Sequence, residues 1–97
     1  MIQKTFRKKV ALITGGTQGI GEATARYFVK EGLSGLIICG RNKKKGEKIA
    51  KELNLLGCKT FFVKADLAKI NDCFKIIKKV EKSFARIDIL INCAAQT

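Results

Sequence analysis

The sequence predicts an α/β fold, a doubly wound parallel sheet whose elements alternate in the order βαβαβαβ. Two observations support this prediction. Short apolar runs alternate with longer segments of helical periodicity, and glycines stand where several of these segments end. Alternating strands and helices give right-handed crossovers and a parallel sheet with helices on both faces. We expect one small domain over residues 1–97, with strand order 3-2-1-4.

The predicted strands are short and apolar almost throughout, as buried parallel strands are. They cover residues 9–14, 36–39, 60–63 and 87–92. The chain ends soon after the fourth strand, whose outer edge would be left without a partner. We therefore expect the chain to be the first half of a larger protein.

The three predicted helices carry apolar residues at helical spacing. The first begins at Ile20 and is followed by Gly32, a suitable C-cap. The second is capped by Asn42 and stopped by Gly57. The predicted core-facing stripes are Ile20, Ala23, Thr24, Tyr27 and Phe28 in the first helix, Ile49, Ala50, Leu53 and Leu56 in the second, and Ile70, Cys73, Phe74, Ile77, Val80 and Phe84 in the third.

A glycine-rich turn, residues 14–21, joins the first strand to the first helix. Gly15 lets the chain turn tightly off the strand, Gly19 removes a side chain where a pyrophosphate approaches, and Gly21 lets the helix sit close to the strand. The helix N-terminus then offers free N–H groups and its positive dipole end to phosphates. This turn predicts a Rossmann-like dinucleotide site.

The formal net charge of +12 has two interpretations. A basic protein binds nucleic acid or another anionic surface, or it carries solvated lysine-rich helix faces. The second interpretation is favoured, and nucleic acid is not the expected partner, because six lysines fall between apolar helix positions. They are Lys48, Lys51, Lys75, Lys78, Lys79 and Lys82.

Cysteine spacing and hydropathy argue against several other classes of protein. The four cysteines show no C-x-x-C spacing and there is no histidine, so no metal site is expected. No apolar run reaches the roughly 18 residues of a membrane span. A basic N-terminus followed only by short apolar runs does not form a secretion signal. We expect a cytoplasmic protein with reduced thiols.

Four landmarks in register with the strands resemble the classical short-chain dehydrogenase/reductase family. Residues 14–21 match the family's T-G-x-x-x-G-x-G turn, and Gly40-Arg41-Asn42 stands at the end of the second strand. Asp66-Leu67 follows the third strand. Asn92-Cys93-Ala94-Ala95 ends the fourth, where the family usually has N-N-A-G.

The resemblance implies hydride transfer between NAD(P)(H) and an alcohol or carbonyl compound. In the family a tyrosine is the acid/base, a lysine four residues later lowers its pKa, and a serine and an asparagine assist. All of them lie beyond the fourth strand and have no counterpart here; Tyr27 is followed at the required spacing by Glu31. No catalytic residue is therefore assigned, and whether the chain is itself an enzyme stays open.

The resemblance assigns the cofactor site residue by residue. Thr14 braces the turn near Asn92, Asp66 accepts a hydrogen bond from the adenine amino group, and Leu67 supplies a backbone contact. Asn92 ties the fourth strand to the turn, while Ala94 and Ala95 pack against the cofactor ribose. The full predicted set is Thr14, Gly15, Thr17, Gln18, Gly19, Ile20, Gly21, Arg41, Asn42, Asp66, Leu67, Asn92, Ala94 and Ala95.

The end of the second strand favours NADP(H) over NAD(H). NAD-binding folds place an acid there for the ribose hydroxyls, whereas this chain has Gly40 and Arg41 and no acid until after Lys45. A guanidinium attracts a 2′-phosphate and stacks on adenine, and Asn42 and Lys43 add donors. The leading hypothesis is the NADP-binding part of an oxidoreductase, from a parent expected to be a homo-oligomer. The alternatives are an inactive nucleotide-binding module and, less favoured, a nucleic-acid-binding protein.

Overall fold

Four parallel strands and three helices alternate along residues 5–93, the part of the chain that the computed structural model describes. The elements are β1 (Val10–Thr14), α1 (Gly19–Lys30), β2 (Gly35–Gly40), α2 (Lys43–Leu55), β3 (Lys59–Lys64), α3 (Ile70–Ser83) and β4 (Ile89–Asn92). The strands are parallel and lie in the order β3-β2-β1-β4. The predicted doubly wound Rossmann-like fold and its strand order are confirmed.

The sheet separates two apolar layers. On one face, α1 and α2 pack on alternate residues of β1 and β2, with Ile13 and Ile38 fully buried. On the other face, Ile76 of α3 packs with Ile37 and its neighbours. Because Thr14 pairs with both Cys39 and Asn92, three strands reach the same edge of the sheet together. The loops that follow these strands therefore meet at one place.

Some predicted strand boundaries are wrong. β1 begins at Val10 because Lys9 lies in a turn, where its N–H donates to the Phe6 carbonyl at 3.0 Å. β4 begins at Ile89: the Asp88 N–H still donates to the Val10 carbonyl, but the Val10 N–H donates to the Asp88 side chain and not to a backbone carbonyl. β2 and β3 are longer than predicted, at six residues each.

The predicted stripe of α1 is only partly right. Phe28 is buried as predicted, but Ile20 and Tyr27 are exposed, and the other buried residues are Gly21, Ala25 and Val29. The inward row starts at a glycine, which has no side chain for hydrophobic periodicity to detect. Tyr27 instead forms a T-shaped pair with Phe6, with ring centroids 6.4 Å apart.

The stripe of α2 is confirmed at Ile49, Ala50 and Leu53, but Leu56 is exposed beyond the last turn. The Asn42 cap is confirmed, since its Oδ1 accepts from the Lys45 N–H at 3.0 Å. Gly32 and Gly57 each follow a helix with a left-handed φ, of 93° and 97°.

The stripe of α3 is only partly right. Ile70, Phe74 and Ile77 are exposed, and the buried residue is Ile76, which the prediction omitted. Lys79 of α3 reaches back to β3, and its ammonium lies 4.2 Å from the centroid of the Phe61 ring. The other five lysines assigned to outward faces are exposed: Lys48, Lys51, Lys75, Lys78 and Lys82.

Candidate functional site

The turn after β1 folds back over the end of β2. Gly15 and Gly19 adopt left-handed φ values of 73° and 56°, which residues with a Cβ rarely adopt. The N–H groups of Gly15 and Gly16 both donate to the Cys39 carbonyl, at 2.9 and 3.3 Å. These bonds fix the turn against the strand and direct its remaining N–H groups outward.

Gly21 allows α1 to rest directly on this turn. A Cβ at Gly21 would lie 2.7 Å from the Gly15 carbonyl carbon and closer still to its oxygen. At Gly19 the situation is the opposite, since a Cβ there would meet no atom within 4 Å. Gly21 is therefore needed for packing, whereas Gly19 opens the backbone to a cleft.

The cleft has a volume of about 690 Å³ and lies at the carboxyl ends of β1, β2 and β3. Crevices at this edge of a parallel sheet, beside the strand where the order reverses, are the usual ligand sites of such folds. The walls come from the glycine turn, the start of α1 and the loops after β2, β3 and β4. The lining residues are Gly15, Thr17, Gln18, Gly19, Ile20, Cys39, Gly40, Arg41, Ala65, Asp66, Leu67, Ala68 and Cys93.

The start of α1 has no side-chain cap. Gln18 is the N-cap residue, and its side chain makes no capping hydrogen bond, in contrast to Asn42 on α2. Helix N-termini carry N–H groups with no intrahelical acceptor and the positive end of the helix dipole. Since Gln18, Gly19 and Ile20 line the cleft, this end of α1 is suited to an anion.

Thr14 and Asn92 hold the floor of the cleft together. The Thr14 hydroxyl donates to Asn92 Oδ1 at 2.7 Å, and the Cys93 N–H donates to the Thr14 carbonyl at 2.9 Å. Thr17 is 5% exposed, and a Cβ at Gly40 would lie 2.9 Å from its hydroxyl oxygen. The turn is therefore braced on both sides, by β4 and by the end of β2.

Arg41 is exposed at the mouth of the cleft. Among residues 5–93, no carboxylate lies within ion-pair distance of its guanidinium, although Lys45 pairs with Glu22 at 3.8 Å. The exposed Lys43 and Lys44 follow it in the chain. This rim is positively charged and its guanidinium is available to a ligand. Asn42 does not line the cleft, and its Oδ1 caps α2.

The loop after β3 is held by α3. Asp66 Oδ1 accepts from the Ala68 N–H at 2.9 Å, and Asp72 Oδ2 accepts from the Asp66 N–H at 2.8 Å. The bond from Asp66 is the main reason that the pKa of Asp72 is lowered, and the positive charge of Lys75 adds to it. The loop therefore presents Asp66 and Leu67 to the cleft in a fixed conformation.

The structure brings most of the predicted residues to one place. Eight of them line the cleft: Gly15, Thr17, Gln18, Gly19, Ile20, Arg41, Asp66 and Leu67. Thr14, Gly21 and Asn92 support it from beneath, while Ala94 and Ala95 lie outside the described residues. The prediction omitted five lining residues, namely Cys39, Gly40, Ala65, Ala68 and Cys93. Their signal was position alone, because each ends a strand or lies in the loop after one.

The buried Cys39 is not a reactive thiol, and the described residues form no group of metal ligands. Burial raises the pKa of the Cys39 thiol to about 12, so it stays protonated and unreactive. Within residues 5–93, no three His, Cys, Asp or Glu side chains are grouped closely enough to hold a metal ion. The same residues include no helix that is long and apolar enough to cross a membrane.

Comparison with known proteins gives consistent matches. The profile of the short chain dehydrogenase family matches residues 9–97. The chain is 36% identical over 89 residues to 3-hydroxyacyl-CoA dehydrogenase type-2 of Drosophila melanogaster, covering 92% of this chain and 33% of that protein.

Two solved structures extend the likeness to three dimensions. L-sorbose reductase from Gluconobacter frateurii, complexed with NADPH and L-sorbose, matches with a TM-score of 0.89 and 31% identity, over 98% of this chain and 36% of that one. The Pseudomonas aeruginosa RhlG/NADP active-site complex matches with a TM-score of 0.86 and 27% identity, over 98% and 38%. The chain thus spans about a third of the length of these relatives. It belongs to the short-chain dehydrogenase family.

Proposed function

We propose that the cleft binds NADP(H), and that the chain is the cofactor-binding part of an oxidoreductase acting on an alcohol or carbonyl compound. The observation that carries this proposal is the uncapped N-terminus of α1, which opens onto a glycine-lined cleft with Arg41 at its mouth. Anionic phosphates and a positive rim are complementary in charge.

The residues present fit a dinucleotide. The absence of a Cβ at Gly19 leaves open space for the close approach of a pyrophosphate. The first N–H groups of α1 are donors for its oxygens, and the exposed Ile20 offers an apolar surface beside them. When bound, the nicotinamide dinucleotide supplies or accepts a hydride. The contribution of this chain is to bind and orient it.

Preference for the 2′-phosphorylated cofactor rests on Arg41. Among residues 5–93, no carboxylate lies within ion-pair distance of Arg41, and a guanidinium binds phosphate with two parallel hydrogen bonds. Relatives solved with NADPH or NADP support the same choice. The Arg41→Glu variant should lower the preference for NADPH over NADH roughly 10- to 100-fold, since charge-assisted hydrogen bonds are lost.

Isothermal titration calorimetry of the purified chain with each cofactor measures this ratio. Lys82→Glu is the matched control, because it makes the same change of charge in the last turn of α3, away from the cleft. An unchanged NADPH/NADH ratio in Arg41→Glu, or an equal change in Lys82→Glu, would show that Arg41 does not contact the phosphate.

Substrate reduction is proposed for the parent protein and not for these 97 residues alone. The one tyrosine, Tyr27, is exposed on α1 and is followed at catalytic spacing by Glu31 in place of lysine. We expect the purified chain to bind NADPH without oxidising it in the presence of a panel of carbonyl compounds. Turnover by this chain would contradict that expectation. A non-catalytic cofactor-binding module remains the second candidate for the same reason.

A homo-oligomeric parent and a cytoplasmic location are parts of the same proposal. Support for the location comes from the cysteines, all four of which are free thiols, as is usual in a reducing compartment.

A further inference from the structure

The loop after β3 is fixed by hydrogen bonds in which almost every polar atom of Asp66 takes part. Its N–H donates to Asp72, its carbonyl accepts from the Lys69 N–H at 2.9 Å, and its Oδ1 accepts from the Ala68 N–H at 2.9 Å. No residue in the range 5–93 donates a hydrogen bond to the other carboxylate oxygen, Oδ2. One acceptor is thus left on a residue that lines the cleft.

Asp72, which lies on α3 outside the loop, accepts the hydrogen bond from the Asp66 N–H. Its Oδ2 lies 2.8 Å from the Asp66 nitrogen, and its Oδ1 lies 3.4 Å from the Lys75 ammonium. The neighbouring Cys73 sulfur lies 3.6 Å from the Leu67 carbonyl oxygen. The first turn of α3 therefore holds the backbone of Asp66 and of Leu67, which both line the cleft. Asp72 itself does not line the cleft.

We propose that Asp72 is a positioning residue for base recognition: it holds Asp66 and Leu67 so that the cleft selects a 6-aminopurine over a 6-oxopurine. This inference rests on the proposed binding of a nicotinamide dinucleotide. Asp66 Oδ2 accepts from the 6-amino group of adenine, and the Leu67 N–H donates to its N1. In hypoxanthine the 6-substituent is an acceptor and N1 carries a proton, so both contacts are reversed.

The position of these two atoms decides how strongly the bases are discriminated. Hydrogen bonds weaken steeply when the angle at the hydrogen falls, and a buried polar group left unpaired opposes binding of the wrong base. Without the Asp72 bond, the Asp66 N–H has lost its acceptor, and the peptide before Asp66 is held less tightly. The carboxylate then points in several directions, and selection is reduced even though Asp66 is still present.

The test is the ratio of two dissociation constants, measured by isothermal titration calorimetry for NADPH and for its hypoxanthine analogue. The wild-type chain should bind NADPH roughly 10- to 100-fold more tightly. Asp72→Ala should bring this ratio close to one by weakening NADPH binding specifically. Asp72→Asn keeps a neutral acceptor for the Asp66 N–H, so its ratio should lie between these two.

Asp88→Ala is the matched control. Asp88 also accepts a backbone N–H, from Val10 at 2.8 Å, and also pairs with a basic side chain, Arg86 at 3.1 Å. It lies next to the start of β4, at the opposite edge of the sheet from the cleft. Its loss should lower stability in a similar way and leave the base ratio at the wild-type value.

The possible outcomes distinguish failure of the positioning role of Asp72 from failure of the proposed NADP(H) binding. A wild-type ratio retained in Asp72→Ala, or an equal loss in Asp88→Ala, overturns the positioning role. If Asp72→Ala does not fold, Asp72→Asn decides, and a wild-type ratio there overturns the role. Wild-type protein that binds both cofactors equally also overturns it, with the proposed function intact. Wild-type protein that binds neither cofactor overturns the proposed function itself.

Discussion

Replacing Gly21 with alanine tests the close packing of α1 on the phosphate-binding turn. The new Cβ would lie 2.7 Å from the Gly15 carbonyl carbon and 3.0 Å from the Gly16 Cα. These are backbone atoms of a turn that is fixed to β2 by two hydrogen bonds. No side chain can rotate out of the way, so the start of α1 has to move by about 1 Å.

The expected cost follows from two opposing terms. Overpacking against fixed atoms costs about 3 kcal/mol, the upper end of the usual range. Alanine in place of glycine in a helix returns up to about 1 kcal/mol. The net loss of about 2 kcal/mol corresponds to a fall in Tm of about 8–16 °C for a domain of this size. Affinity for NADPH should fall by at least about tenfold, because the N–H groups of α1 no longer face the phosphates.

Gly57→Ala is the matched control for Gly21→Ala. Gly57 has a φ of 97°, and a Cβ there would meet no atom within 4 Å. Left-handed strain should cost about 1–2 kcal/mol, with no effect on the cleft. Thermal unfolding followed by circular dichroism gives the stabilities, and calorimetry gives the affinities. A Gly21→Ala chain with wild-type Tm and wild-type affinity would refute the packing argument.

Three further predictions concern local interactions. Asn42→Ala should lower the unfolding free energy by about 1 kcal/mol in urea titrations, because the Lys45 N–H loses its cap. Iodoacetamide at pH 8 should leave Cys39 and Cys58 unmodified in the folded chain, since burial raises the pKa of both thiols; rapid labelling of either would contradict their burial. The pKa of Asp88 is lowered mainly by the Val10 N–H, so its stabilisation is complete above the ordinary carboxyl pKa and is lost as pH falls below it. The stability advantage of wild type over Asp88→Asn should therefore disappear as pH falls from roughly 5; a constant advantage down to pH 2 would show that the lowered pKa is not its source.

Hydrophobic periodicity was sufficient to predict that strands and helices alternate along the chain. The parallel pairing of the strands then follows, because β–α–β crossovers are almost always right-handed. Periodicity was not sufficient for the facing of α3. Apolar residues cover a wide arc of that helix, and only Ile76 is buried, whereas Phe74 and Ile77 are exposed. Apolar residues recur every three or four positions both in the row that contains Ile76 and in the row that contains Phe74 and Ile77. The sheet neighbours of a helix decide which row turns inward, and they are unknown from the sequence.

The candidate site was predictable where chemistry is local to the turn. Glycines at fixed spacing encode close backbone approach, which is why Gly15, Gly19 and Gly21 were identified. Asn42 was predicted both to cap α2 and to donate to the cofactor; its Oδ1 forms the cap, and its role toward the cofactor stays a prediction. Nothing in the sequence marks Asp72 for its proposed role, because an acid in the first turn of a helix has an ordinary explanation in the helix dipole. Only the folded chain places it 2.8 Å from the Asp66 nitrogen.

The central claim is that the cleft beside the glycine turn binds NADP(H), and direct calorimetric titration of the purified chain tests it. We expect saturable, one-to-one binding of NADPH, with NADH bound more weakly because it lacks the phosphate that Arg41 attracts. Competition by 2′-phosphorylated ADP, which carries only the adenosine half, should be complete. No saturable binding of either cofactor would contradict the claim. Equal affinity for the two would contradict the role of Arg41.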